Sequence, residues 1–156
     1  MSARVLIDGD ACPVREEAYR VARRHGVSVT VVANQWLRTP PDVAFQRVDD
    51  AFDAADDWIA ERSGPDAVVV TADILLADRC LKAGAAVISP TGEAFSAEAI
   101  GSLIATRAIM ADLRDQLASK GDDAGYRVGP APFGPRDRSR FLEALHLALE
   151  KRARRG

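Results

Sequence analysis

Cysteine is nearly absent from this chain of 156 residues, occurring only as Cys12 and Cys80. So few thiols imply no disulfide framework, and a reducing compartment would keep both free. Cys12 stands at an expected helix N-terminus, where the dipole lowers a thiol pKa, but it has no recognisable base partner. Histidine is as scarce: His25 falls at a helix end and His146 within another helix, far apart in sequence, so a Cys/His catalytic pair is not expected. Aromatics are only 6% of the residues. Long apolar runs are missing too. The stretch Val27 to Ala33 is interrupted by Ser28 and Thr30, whereas a bilayer-spanning helix needs about 20 apolar residues, so no membrane crossing is expected. Met1-Ser2-Ala3-Arg4 lacks the regions of a secretory signal, and the expected location is the cytoplasm. Neither sign of charge dominates: 21 basic against 23 acidic side chains give −2, so affinity for nucleic acid would need a local patch. The terminal run Lys151-Arg152-Ala153-Arg154-Arg155 could be one, although its cations equally suit a solvated helix C-terminus.

What the chain has is aliphatic. Apolar residues make up 47%, enough to bury the core of one ordinary domain over residues 1–156. Arg4 to Asp8 reads as a buried strand, and Pro13 opens a helix with Val14, Ala18, Val21 and Ala22 on one face, closed by His25-Gly26. Val27 to Ala33 is a β-branched strand; after the turn at Pro40-Pro41, Ala44 to Val48 gives a brief third strand. A helix over Asp53 to Arg62, with Phe52, Ala55 and Ile59 at helical spacing, leads through Ser63-Gly64-Pro65 to the run Ala67 to Val70. That run has no polar face, the mark of a parallel strand covered on both sides. A helix from Ile74 to Ala83 and a strand from Ala85 to Ser89 continue the alternation. Repeated strand and helix predict an α/β fold with a mostly parallel sheet flanked by helices.

Ser96 is the expected N-cap of a longer helix to about Ser119, patterned by Ile100, Leu103, Ile104, Arg107, Ile109, Met110, Leu113 and Leu117. Lys120 to Tyr126 reads as a polar loop. Residues 129–156 form a proline-rich connector and a C-terminal helix begun by Pro135, whose Phe141, Leu142, Leu145 and Leu149 dock on the domain.

Asp8 and Asp10 follow the first strand and Asp73 follows Val68-Val69-Val70; in an open parallel sheet these exits share the edge where ligands bind. Gathered carboxylates raise one another's pKa and call for a cation, and hard oxygen ligands suit magnesium or manganese. Asp56 is the fourth candidate, since the helical step places it beside Phe52 and Ile59, whereas Asp57 turns away with Asp53. Asp78 ranks below it. Each aspartate also has a structural alternative: Asp10 or Asp73 could simply cap the helix that follows.

The segments Asp8-Gly9-Asp10-Ala11-Cys12-Pro13, Val32-Ala33-Asn34-Gln35, Asp53-Ala54-Ala55-Asp56 and Thr71-Ala72-Asp73-Ile74 resemble the bacterial YaiI/YqxD family. The likeness continues through Gly92-Glu93, the helix bearing Arg107, and Asp137-Arg138 with Phe141. That family is similar to the PIN-like nucleases. The resemblance implies a single PIN-like (Rossmann-like) domain and a magnesium or manganese site cutting phosphodiesters, usually in RNA. It implies Asp8, Asp10, Asp56 and Asp73 as the catalytic and metal-holding carboxylates, with Asn34 and Arg107 orienting ligand or phosphate. The family commonly has Ala at Gly9, Pro at Leu75 and Arg at Thr91, so this cleft is expected to be less cationic than in relatives.

Two other readings compete. Asp8-Gly9-Asp10 after one strand, Thr71 after another and Lys82 evoke a haloacid-dehalogenase-like phosphatase, although the acidic pair Asp122-Asp123 follows no apolar run. A binding module without turnover would use Arg136, Arg138, Arg140 and the terminal basic run to contact nucleic acid or a partner.

Overall fold

The computed structural model describes residues 3–10, 12–50, 54–119 and 133–155, with the side chains at 107, 115–119 and 153–155 excepted. In chain order the elements are β1 (Arg4–Asp8), α1 (Arg15–His25), β2 (Ser28–Ala33), β3 (Ala44–Arg47), α2 (Ala54–Arg62) and β4 (Ala67–Val70). Then come α3 (Ile74–Lys82), β5 (Ala86–Ile88), β6 (Ala94–Phe95), α4 (Ala97–Ser119) and α5 (Pro135–Arg155). The strands form one sheet in the order β3-β2-β1-β4-β5-β6. Every pairing is parallel except that of β6 with β5. This is the expected Rossmann-like α/β architecture, with the strand order reversing beside β1.

The period of two in a strand divides the apolar run of each central strand between two cores. Val5, Ile7, Val68 and Val70 pack with α1 and α5, where Phe141, Leu145 and Leu149 are fully buried. Leu6, Ala67 and Val69 pack with Ile59 of α2 and with Leu76, Ala77 and Cys80 of α3. Both faces being covered explains why these strands carry no polar alternation. The four residues expected to face inward, Val14 at the N-cap of α1 and Ala18, Val21 and Ala22 within it, are all buried.

Several boundaries differ from the sequence reading. Helix α1 starts at Arg15 because Pro13 and Val14 form a turn. The two-residue β6 has too little pattern to be read beforehand. Ser96 does cap α4, its Oγ accepting from Ala99 N at 3.1 Å. The expected apolar face of α4 is another matter: Ile100 is buried, but Ile104, Ile109 and Leu113 are exposed. The expected loop at 120–126 and connector at 129–132, and with them Asp122-Asp123, lie outside the described residues, as do Phe52 and Asp53.

Of the three described glycines with positive φ, Gly26, Gly84 and Gly92, the first and last adopt it for different reasons. Gly26 (φ 65°) closes α1, its N–H reaching Ala22 O and Arg23 O, with open space where a Cβ would stand. Gly92 (φ 89°) lies between β5 and β6, and a Cβ there would meet the carbonyl carbon of Arg140 at 2.5 Å. Gly92→Ala is therefore expected to cost about 3 kcal/mol or more, from strain and collision with α5 together. Gly26→Ala should cost only about 1–2 kcal/mol. Urea denaturation of both variants checks this; equal losses would contradict the close approach of α5 to the β5–β6 turn.

Candidate acidic site at the carboxyl edge of the sheet

Strands β1 and β4 are neighbours in register, with Ile7 opposite Val70, so the next residues, Asp8 and Thr71, emerge side by side. Thr71 is buried, and its Oγ1 donates to Asp8 Oδ2 at 3.0 Å while accepting from Asp73 N at 3.0 Å. One hydroxyl thus ties the exit of β1 to the head of α3. On the other flank, Asp10 Oδ2 accepts from Asn34 N at 3.2 Å, joining the loop after β1 to the exit of β2. Asp73 is the N-cap of α3, with Oδ1 accepting from Leu75 N at 2.9 Å and Leu76 N at 3.2 Å. The helix-capping role weighed for Asp73 is realised. Asp10, by contrast, ties two strand exits together.

Asp8, Asp10 and Asp73 form no salt bridge among the described residues. Burial pushes the Asp8 carboxyl up to about 6; the Thr71 hydroxyl bond opposes this, and the charges of Asp10 and Asp73 add to it. The sheet edge therefore holds a carboxylate that water solvates poorly and like charges surround.

Burial also decides the chemistry of Cys12. Its thiol is pushed up to about 11, desolvation being the largest cause, with Val14 N–H and Arg15 opposing it and Asp8 and Glu17 adding to it. The expected lowering by the dipole of α1 does not prevail, and Cys12 stays a protonated thiol at neutral pH.

The other candidates stand on different elements, Asn34 beside Asp10 through its backbone N–H. Asp56 is half-buried in α2, and its charge acts on Arg79 and Cys80 of α3. Asp57, next to it, pairs with Arg79 at 2.8 Å. Asn34 is half-buried at the exit of β2, its carbonyl accepting from Arg47 Nε at 3.4 Å. Arg107 belongs to α4, and its side chain lies outside the described residues. Asp78 pairs within α3 with Lys82 at 2.8 Å. Lys82 itself is eight residues along α3 from its first residue, Ile74, about 12 Å from the acidic edge.

Sequence reasoning missed three features. Thr71 reads from sequence as part of a family-like segment and as a phosphatase hydroxyl, not as the tie between Asp8 and Asp73, although a polar residue directly after a fully apolar strand and two before an aspartate is the available signal. Arg138, counted as open basic surface, is held at 3.0 Å by Glu17, whose side chain is 10% exposed. His25 and His146 meet, Nε2 to Nδ1 at 2.9 Å, with His146 also against Glu150 at 3.2 Å. Nothing in local pattern connects residues 121 positions apart.

The donor set suits a hard divalent cation, being carboxylate and hydroxyl oxygen. Among the described residues no three His, Cys, Asp or Glu side chains converge closely enough to enclose an ion. A magnesium ion does not require that, since it commonly takes one or two carboxylates and completes its shell with water and substrate phosphate. The carboxylate and hydroxyl oxygens at this edge are chemically compatible with that open mode.

Residues 6–151 match the family described as Uncharacterized BCR, YaiI/YqxD family. The chain is 58% identical over 154 residues to a UPF0178 protein of Sphingopyxis alaskensis, covering 97% of this chain and 96% of that one. A UPF0178 protein of Rhodopseudomonas palustris (strain HaA2) is 51% identical, with 97% and 90% covered. One from Nitrobacter winogradskyi is 51% identical, with 95% and 91% covered. No solved structure matches the chain. No helix among the described residues is long and apolar enough to cross a membrane.

The raised Asp8 carboxyl has a consequence for stability. An unfolded chain releases this proton near 3.8 and the folded one near 6. Between those values the native state holds the extra proton, so stability falls as pH rises through the window and stays lower above it. The rise from 3.8 to about 6 corresponds to at most roughly 3 kcal/mol, and the solvent contact of this half-buried group reduces the expectation to about 1–2 kcal/mol. Asp8→Asn, which can still accept from Thr71, should therefore be more stable than wild type by that amount at pH 7 and equal to it below about pH 4. Denaturant titrations at both pH values read the difference, and a variant less stable at pH 7 would contradict it.

Proposed function

The chain belongs to the YaiI/YqxD family, and we propose that it is a magnesium- or manganese-dependent nuclease acting on RNA phosphodiesters in the cytoplasm. The observation that carries this reading is the crowded, unpaired carboxylate set, in which Asp8 is pushed up to about 6 by burial and by Asp10 and Asp73. Such a set gains most from a positive ion, and a phosphodiester brings the further oxygens that an open ion needs.

Asp8 and Asp73 would hold the ion, and Asp10, anchored by Asn34 N–H, would hold a water beside it. A bound divalent cation would supply Lewis-acid polarisation of the phosphoryl group and offset charge on the departing oxygen. Thr71 keeps Asp8 oriented, its hydroxyl proton directed at Oδ2. Asn34 stands beside Asp10 to meet the substrate, and Asp56 from α2 and Arg107 from α4 complete the proposed set.

Two observations weigh on the alternatives. The contact of Thr71 with Asp8 suits a phosphatase, but Lys82 sits at the far end of α3, paired with Asp78. A binding module would need Arg138 for its surface, and that guanidinium is committed to Glu17.

The test incubates short labelled RNA and a generic phosphomonoester with magnesium, manganese or chelator, using wild type, Asp8→Asn and Asp73→Asn. Metal-dependent RNA cleavage, lowered by roughly a hundredfold or more in both variants, is the expected result. Turnover of the phosphomonoester alone, or RNA binding without cleavage, would overturn it. A second readout needs no substrate: magnesium should raise the thermal midpoint of wild type, less so as pH falls through about 6 because the Asp8 proton competes. Asp8→Asn should not respond.

A further inference from the structure

Helix α4 is 23 residues long, about 35 Å, yet only its start is built into the domain. Ile100 is buried in the core beside α3. Beyond it, no described residue from Gly101 to Arg114 is buried, and Ile109 and Leu113 are 60% and 45% exposed. At 100° per residue, Ile109 lies about 180° round the helix from Ile100, with Leu113 about 40° and Asp112 about 60° from it on either side. Position 114 falls about 140° away, so the outward face carries two large apolar side chains and an acid, with Arg114 turned from it. A helix with apolar residues round its whole circumference is normally covered.

The same molecule has a groove of complementary character. Helix α5 crosses the sheet over β4 and β5, and beside it a cavity of about 430 Å³ opens at the β5–β6 end. Its lining is mostly apolar, including Val87, Ala94, Phe95 and Leu147, the last 48% exposed. Arg140, Lys151 and Arg152 line it together with the acid Glu143, and neither Arg140 nor Lys151 forms a salt bridge among the described residues. Its own α4 cannot fill this groove. That helix leaves β6 to pack with α3 on the face of the sheet that also holds Val87 and Phe95, while the groove runs along α5 on the other, beside Ala86, Ile88, Ala144 and Ala148.

We propose that α4 of a second copy of this chain lies in the groove beside α5, Ile109 and Leu113 against Leu147, Ala144 and Ala148, and Asp112 facing the basic rim. Each copy carries both halves, so a two-fold axis makes two identical contacts and closes a dimer. Three cations against one acid leave the groove net positive, opposite in sign to Asp112 on the outward apolar face, which argues for α4 over a basic partner. The dimer is independent of the nuclease reading.

Sedimentation equilibrium of the full chain tests it. Wild type should be a dimer, while Ile109→Asp and Leu147→Asp, both exposed positions, should each raise the dissociation constant about thirtyfold or more. Circular dichroism should match wild type in both. Mixing the variants should restore a heterodimer, because Ile109→Asp keeps an intact groove and Leu147→Asp an intact helix. A wild type that stays monomeric at about 100 μM overturns the proposal. So does a dimer broken by Ile109→Asp but not by Leu147→Asp, which would mean that α4 pairs with α4. No heterodimer in the mixture, at a hundred times the wild-type dissociation constant, overturns it equally.

Discussion

A carboxylate withdrawn from water at the end of the central strand is the constraint on which the site depends. Strand β1 lies between β2 and β4, so whatever follows Asp8 is flanked by the exits of both neighbours. The loop after β1 brings Asp10, and the exit of β4 brings Thr71 and Asp73. Asp10 and Asp73 stand near Asp8 with no basic side chain paired to any of the three among the described residues, and burial, with their charges adding to it, raises the Asp8 carboxyl to about 6. A site arranged only for stability would put a cation or an amide in that place. The local arrangement suits an ion that arrives from outside the chain.

The surrounding fold keeps this site in place by short ties. Thr71 links Asp8 to the backbone of Asp73, and Asp10 links to Asn34 N–H. Asp73 has both a structural and a proposed chemical task, since Oδ1 caps α3 through two amides. The cap fixes the carboxylate near the sheet edge without neutralising it. At Cys12, by contrast, desolvation outweighs the favourable end of α1, so a residue placed like a nucleophile stays an inert thiol. The same loss of solvation therefore sets both groups, in the direction that their charged forms dictate.

How legible this was depended on the range of each interaction. Strand β4 could be read from Val68, Val69 and Val70 because a strand buried on both faces must be apolar throughout, and the edge position of Asp8, Asp10 and Asp73 followed from parallel topology. The inward face of α1 followed from helical period alone. Contacts across long sequence separations left no local trace, as with Glu17 and Arg138 or His25 and His146. In α4 the apolar pattern was legible, but it did not say what the helix covers. Ile100 serves this domain's core, whereas Ile109 and Leu113 face outward, and a pattern made for two different partners blurs the period of either one. Asp56 illustrates a third case: its half-buried place in α2 was foreseeable, but the side chains sharing its field, Arg79 and Cys80, were not.

The most direct measurement is a carboxyl NMR titration of Asp8 with and without magnesium. The account predicts a midpoint near 6 in the metal-free protein and a clear downward displacement when magnesium is added. A midpoint at the ordinary value of 3.8, unmoved by the ion, would contradict the claim that this sheet edge is a site of crowded, poorly solvated charge awaiting a cation.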